Sequence, residues 1–136
     1  MYVTDRTLLL LVTAFAEAGI GICLLMFPSV VFALLLGSKQ PATETLLVGR
    51  IAGAALLGIG VASWLARSDK PGSAELGLLI GITIYTVVAA VLLAYAGEVL
   101  GMAGILLWPA VMFHAVLAAW CFACLRARVT AERSQS

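Results

Sequence analysis

The sequence predicts an all-α integral membrane protein: an up-down bundle of four transmembrane helices, with a short interfacial helix after the first. Hydrophobic residues make up 63% of the 136 residues, and charged residues only 11%. A soluble domain of this length cannot bury so much apolar surface, so the excess must face the lipid bilayer. Four apolar segments also have the length that a membrane-spanning helix needs, and short links separate them.

The four spans follow from segment length, because crossing the hydrocarbon core takes about 20 mostly apolar residues. They are predicted at about 8–27, 45–66, 75–96 and 104–125. The links contain Gly, Pro and charged residues, which favour turns. Links this short make successive helices antiparallel neighbours, so residues 1–128 are predicted to form one bundle domain and 129–136 a polar cytoplasmic tail.

The apolar run continues beyond the first span, in the stretch FPSVVFALLLG. Pro28 lacks a backbone N–H and clashes with the preceding turn, so it ends the first helix. Residues 29–36 are therefore predicted to form a short helix along the membrane interface. The alternative is one long helix that is kinked at Pro28 and tilted in the membrane.

The distribution of Lys and Arg in short loops predicts that both termini are cytoplasmic. This orientation leaves Lys39 as the basic residue of the outer side. The cytoplasmic side would then carry Arg6, Arg67, Lys70, Arg126, Arg128 and Arg133. An A-x-A-like stretch at 14–16 does not predict a cleaved signal peptide, because one Arg is balanced by one Asp before it and strongly apolar sequence follows.

Four polar residues interrupt the apolar spans: Glu17, Arg50, Tyr85 and His114. At a rise of 1.5 Å per residue, Glu17, Tyr85 and His114 lie about 14–15 Å into their helices, near the bilayer centre. Arg50 is shallower, about 8 Å from the outer end of its helix, but its long side chain reaches inward. The four residues are therefore predicted to converge on one layer.

Each of these polar residues shares a helix face with Gly or Ala residues three or four positions away. Membrane helices pack closely through small residues, so these faces are predicted to point into the bundle. An ionised side chain at mid-membrane costs about 2.5–3.5 kcal/mol and is normally paired. Because Arg50 cannot lose its proton, we predict an ion pair between Glu17 and Arg50, with Tyr85 and His114 hydrogen-bonding nearby.

This buried polar layer allows two main interpretations. In the first, Glu17, Arg50, Tyr85 and His114 bind a quinone headgroup, a small anion or a proton in relay, because intramembrane ionisable residues are functional by default and His titrates near neutral pH. In the second, the Glu17–Arg50 pair only fixes helix packing in a structural or assembly protein. A small transporter is a third interpretation, which the lack of internal repeats disfavours. No catalytic motif predicts an enzyme.

Metal and nucleic-acid binding find no support in the sequence. The chain has a single histidine, and its net charge of +1 comes without a basic patch. Cys121 and Cys124 form a C-x-x-C near the C-terminus of the last span, where the helix dipole disfavours a thiolate. They are predicted to be packing residues.

The second span contains small residues four positions apart, in the pairs Gly49/Gly53 and Ala54/Gly58. Such patterns indicate close helix contacts, within one bundle or between chains. A homo-oligomer, or membership of a larger membrane complex, is therefore one expectation from this pattern.

The segments FAEAGIGICLLMFP, GRIAGAALLGIGVASWLAR and LLWPAVMFHAVLAAW resemble small four-helix bacterial inner-membrane proteins of a loosely DoxX-like type. The resemblance is one of layout over nearly the whole chain: an early acidic residue, a proline that ends the first helix, and Gly-Arg opening the second. It implies a bacterial inner-membrane location. Because some DoxX-like proteins are similar to membrane subunits of quinone-linked redox systems, it also implies an accessory subunit with a quinone or redox partner.

Overall fold

A computed structural model describes residues 2–69 and 72–133, and in these ranges it is all-helical. Four of the helices are long and apolar enough to cross a membrane, so the chain is a multi-pass membrane protein. The predicted four spans and the extra short helix are confirmed. Lys70 and residues 134–136 of the predicted tail lie outside the described ranges. The helices are α1 (Tyr2–Met26), α2 (Pro28–Leu36), α3 (Thr43–Ala66), α4 (Ser73–Glu98) and α5 (Leu107–Arg133).

The helix ends differ most from prediction in α1 and α5, which extend beyond the apolar spans. The helix α5 continues to Arg133, through most of the segment that the sequence indicates as a tail. Arginine is a good helix former, and its charge is favoured in the last turns by the helix dipole. The start of α1, the α3–α4 turn and the end of α5 meet at one end of the bundle, called the terminal end below.

A short helix follows α1 because Phe27 leaves helical geometry, with φ −133° and ψ 53°, and Pro28 starts α2. Proline suits this position, where its missing N–H would have no partner in the helix. Gly37 ends α2 in the left-handed region, at φ 74°. At the opposite end of the bundle, the Leu106 N–H donates to the Leu34 carbonyl at 2.9 Å, which ties α2 to the link before α5.

The four long helices pack as two close pairs, α1 with α3 and α4 with α5. Backbones touch in the first pair: a Cβ on Gly21 would lie 2.7 Å from the Gly53 carbonyl oxygen. A Cβ on Gly60 would lie 2.7 Å from the Ala18 backbone nitrogen. Contacts between the two pairs are fewer, so the residues on the seam between them decide how the halves are held together.

The small residues of α3 divide between two environments. Gly49 and Gly53 are buried inside the bundle, against Phe32 and α1 respectively. Ala54 and Gly58 are exposed, and a Cβ on Gly58 would meet nothing within 4 Å. The Gly49/Gly53 pattern is thus used within the chain, whereas Ala54 and Gly58 lie on the outer surface of the bundle.

We expect Gly60→Ala to lower the free energy of unfolding by about 1–3 kcal/mol, because the new methyl group would push α1 and α3 apart. Gly58→Ala is the matched control two residues away. It should leave the free energy of unfolding unchanged, or raise it by up to about 1 kcal/mol through helix propensity. Reversible unfolding in mixed detergent–lipid micelles measures both. Equal effects at the two positions would contradict the close α1–α3 contact.

Candidate functional site

Three of the four predicted polar residues form a hydrogen-bonded chain across the seam. The Tyr85 hydroxyl lies 3.1 Å from Glu17 Oε2 and 3.4 Å from His114 Nε2. His114 Nδ1 lies 2.7 Å from the Ala110 carbonyl oxygen, one turn back on α5. These hydrogen bonds link α1 to α4 and α4 to α5. We call Glu17, Tyr85 and His114 the polar triad.

The acceptor at Ala110 fixes the histidine tautomer. A carbonyl oxygen only accepts, so Nδ1 carries a proton and donates it to Ala110. In the neutral ring, Nε2 is then the bare nitrogen, and it faces the Tyr85 hydroxyl. Tyr85 has one proton to give and stands between a carboxyl oxygen and this nitrogen.

Two proton arrangements fit the same heavy-atom positions. In one, Tyr85 donates to the Glu17 carboxylate while a doubly protonated His114 donates to the Tyr85 oxygen. In the other, a protonated Glu17 donates to Tyr85, which donates to the neutral His114. Passing from one to the other moves one proton along each of the two hydrogen bonds. The triad has no net charge in either arrangement, so it needs no further counterion in the low-dielectric interior.

Burial changes along the triad. Glu17 is only 1% exposed, whereas Tyr85 and His114 are half-buried. Gly77 and Gly81, on the same stripe of α4 as Tyr85, have open space where a Cβ would point. The small-residue face predicted to turn Tyr85 inward is therefore at the rim of the seam, and Tyr85 bridges from that rim to Glu17.

Arg50 is not part of this cluster, and the predicted Glu17–Arg50 ion pair does not form. Arg50 is exposed, and its Nε donates to the Leu25 carbonyl at 3.2 Å. The antiparallel register of α1 and α3 sets Arg50 beside Leu25, eight residues from Glu17. That separation is about 12 Å of helix rise. The guanidinium therefore cannot reach Glu17 while Arg50 donates to the Leu25 carbonyl near the end of α1.

A second polar cluster lies at the terminal end of the bundle. Arg6 Nη1 is 3.2 Å from Glu75 Oε1, and Arg128 Nη1 is 2.8 Å from Glu75 Oε2. The Arg6 and Glu75 side chains are each 2% exposed, and that of Arg128 is 12% exposed. Arg6 Nη2 also donates to the Asp69 carbonyl at 2.8 Å, so the cluster joins α1, the α3–α4 turn, α4 and α5. We call Arg6, Glu75 and Arg128 the terminal ion cluster.

Sequence reasoning missed this cluster because it counted Arg6 and Arg128 as loop cations that set orientation. The signal was the position of Glu75, three residues after the glycine that precedes α4. The Gly72 N–H donates to its Oε2 at 3.3 Å, an arrangement typical of a helix start. An acidic residue at that turn is placed next to cations at the two chain ends, since all three lie at the same end of an up-down bundle.

Two grooves on the bundle surface are lined by residues outside the polar triad. The larger, of about 260 Å³, is an apolar groove between α1 and α2 that includes Cys23, Phe27, Leu34 and Leu106. The other lies between α1 and α3 beside Phe15 and Trp64. Within the described ranges, no three His, Cys, Asp or Glu residues gather as a metal site would require. Cys121 and Cys124 are buried free thiols in the apolar core.

Comparison with protein-family models, with curated proteins and with solved structures gives no match to this chain.

Proposed function

We propose that the polar triad binds the headgroup of a small membrane-soluble molecule of the quinone type and exchanges protons with it. The observation behind the proposal is the hydrogen-bonded order Glu17–Tyr85–His114. A headgroup carbonyl oxygen accepts hydrogen bonds, and at the rim of the seam the half-buried Tyr85 and His114 can donate to it in place of their hydrogen bond to each other. The buried Glu17 lies further from the rim and holds the proton that is exchanged.

A neutral headgroup suits this site better than a small anion. An anion would approach His114 and Tyr85 against the carboxylate of Glu17, whose Oε2 is 3.1 Å from the Tyr85 oxygen. Arg50, which could have balanced a second negative charge, is held at Leu25 instead. A quinone-like oxygen brings no charge, so it avoids this repulsion.

In this role the chain is an accessory subunit of a membrane complex in the bacterial inner membrane, with both termini cytoplasmic. It would hold the headgroup and supply or accept the proton, and electron transfer would belong to a partner protein. The DoxX-like layout supports this assignment, since it points to quinone-linked membrane systems. Arg6 and Arg128 of the terminal ion cluster lie at the same end of the bundle, as their shared assignment to the cytoplasmic side requires.

The second candidate function is structural, with the triad serving only to join the two helix pairs. The observation that favours it is the loose contact between the pairs, across which Glu17, Tyr85 and His114 form polar links. An assembly protein would need only these polar links between the two helix pairs. The two candidates differ in whether a small molecule reaches Tyr85 and His114.

Photolabelling tests the proposal. We expect an azido-benzoquinone with a short isoprenoid tail to label the purified protein in lipid nanodiscs saturably. An excess of the same quinone without the azide should prevent labelling, and labelled peptides should map to α4 and α5 around Tyr85 and His114. Labelling that does not saturate, or that maps to the apolar groove beside Phe27 and Leu106, would remove the ligand role and leave the structural one.

A further inference from the structure

The groove between α1 and α3 has a volume of about 250 Å³ and an entirely apolar lining. Small residues form its floor, where Gly60 packs against Ala18 with their backbones in contact. The rings of Phe15 and Trp64 meet edge to face beside it, with centroids 5.5 Å apart. Phe15, Trp64 and the third large lining residue, Val61, are exposed at the bundle surface. In a membrane-spanning bundle, this groove therefore opens toward the lipid acyl chains.

A cation lies at the terminal end of this groove. The Arg67 guanidinium stacks over the Trp64 ring, 3.7 Å from its centroid, and Nη1 donates to the Trp64 carbonyl. The Thr7 hydroxyl donates to the Arg67 carbonyl at 3.3 Å, so Arg67 is level with the first turns of α1. Arg67 follows the last residue of α3 and is about 10 Å of helix rise beyond Gly60. The groove thus runs from this cation into the membrane.

Arg67 differs from the arginines of the terminal ion cluster in its lack of a counterion. Arg6 and Arg128 both face Glu75. Among the residues that the structure describes, no carboxylate forms an ion pair with Arg67. Its guanidinium carries five N–H donors, and the Trp64 carbonyl occupies only part of this set. A ligand that complements both the charge and the groove has an anionic head and an apolar tail.

We propose that this groove, together with Trp64 and Arg67, binds an anionic phospholipid of the phosphatidylglycerol type from the leaflet at the terminal end. One acyl chain lies in the groove along Ala18 and Gly60, and the headgroup phosphate accepts hydrogen bonds from the Arg67 guanidinium. The Trp64 ring holds the guanidinium at the headgroup level, where indole rings and basic side chains are favoured. A zwitterionic phospholipid fits less well, because its own cation already balances the phosphate. The site is independent of the polar triad.

Native mass spectrometry of the detergent-purified protein tests the headgroup contact. The protein is given equal amounts of phosphatidylglycerol and phosphatidylcholine with the same acyl chains. We expect wild type to retain one phosphatidylglycerol with a preference of about fivefold, the contribution of one basic residue near an anionic headgroup layer. Arg67→Gln should remove this preference. Arg126→Gln is the matched control, because Arg126 is also an exposed arginine near the terminal end but belongs to α5, which does not line the groove.

A second pair of variants tests the groove without changing charge. Val61→Phe puts a larger side chain into the groove, so it should displace the retained phosphatidylglycerol. Val88→Phe is its control, because Val88 is 49% exposed on α4, against 50% for Val61. The Val88→Phe protein should retain the lipid as wild type does. Both positions are on the bundle surface, so neither substitution has to fit into the core.

The other results each overturn the proposal. Equal retention of the two lipids by wild type, or equal losses in Arg67→Gln and Arg126→Gln, would show unspecific attachment. Retention of phosphatidylglycerol by Val61→Phe would place the lipid elsewhere. Its release by an excess of inorganic phosphate would assign Arg67 to a soluble anion. A dimer that Val61→Phe separates would assign the groove to a second copy of this chain. None of these results depends on whether the polar triad binds a quinone.

Discussion

Glu75→Gln should lower the free energy of unfolding by about 3–5 kcal/mol. Glu75 is the one carboxylate of the terminal ion cluster, and both of its oxygens face arginines. Removing its charge leaves Arg6, which is 2% exposed, without a counterion. A buried cation cannot be rehydrated in the folded state, so the loss is larger than a surface ion pair would give.

The chain offers a close control for this prediction. Glu44 also lies in the first turn of a long helix, but its side chain is exposed. Glu44→Gln should change the free energy of unfolding by less than about 1 kcal/mol. Unfolding in mixed micelles, followed by circular dichroism, measures both variants. A loss at Glu75 no larger than that at Glu44 would mean that the terminal ion cluster does not hold the helix ends together.

Tyr85→Phe should weaken binding of a short-chain benzoquinone by about 3–10-fold. The phenol oxygen is the one atom that contacts both Glu17 and His114, so its loss breaks both links of the triad. A hydrogen bond between neutral groups contributes about 0.5–1.5 kcal/mol, and about 1.4 kcal/mol corresponds to a factor of ten in affinity. Competition against the photolabel gives the dissociation constant.

Tyr95→Phe is the control for this variant. Tyr95 lies ten residues further along the same helix, and it is 50% exposed. Removal of its hydroxyl should leave the dissociation constant within about twofold of wild type. A Tyr85→Phe protein that is less stable but binds the quinone as wild type does would favour the structural candidate over the ligand site.

The parts of this protein that depend on local sequence could be predicted. Apolar run length fixes the four spans, and Pro28 fixes the break before α2, because both act within a few residues of themselves. The depth of each residue along its helix predicted that Glu17, Tyr85 and His114 would meet, since antiparallel helices of similar length align their midpoints.

What depends on the register between helices could not be predicted in the same way. The glycine contacts of α1 and α3 set Arg50 opposite Leu25. A glycine such as Gly53 indicates a close helix contact, but it does not indicate which residue of α1 it meets. The terminal ion cluster is a similar case, because Arg6, Glu75 and Arg128 are far apart in sequence and meet only once the bundle is closed.

The ¹⁵N spectrum of His114 tests the hydrogen-bonded triad most directly. Because Nδ1 donates to the Ala110 carbonyl, we expect Nδ1 to be protonated in the neutral ring and Nε2 to be bare. The Nε2 resonance should shift in Tyr85→Phe, which removes its partner, and stay unchanged in Tyr95→Phe. A neutral ring protonated at Nε2 and bare at Nδ1, with a spectrum that Tyr85→Phe does not alter, would contradict the triad and the proton exchange proposed for it.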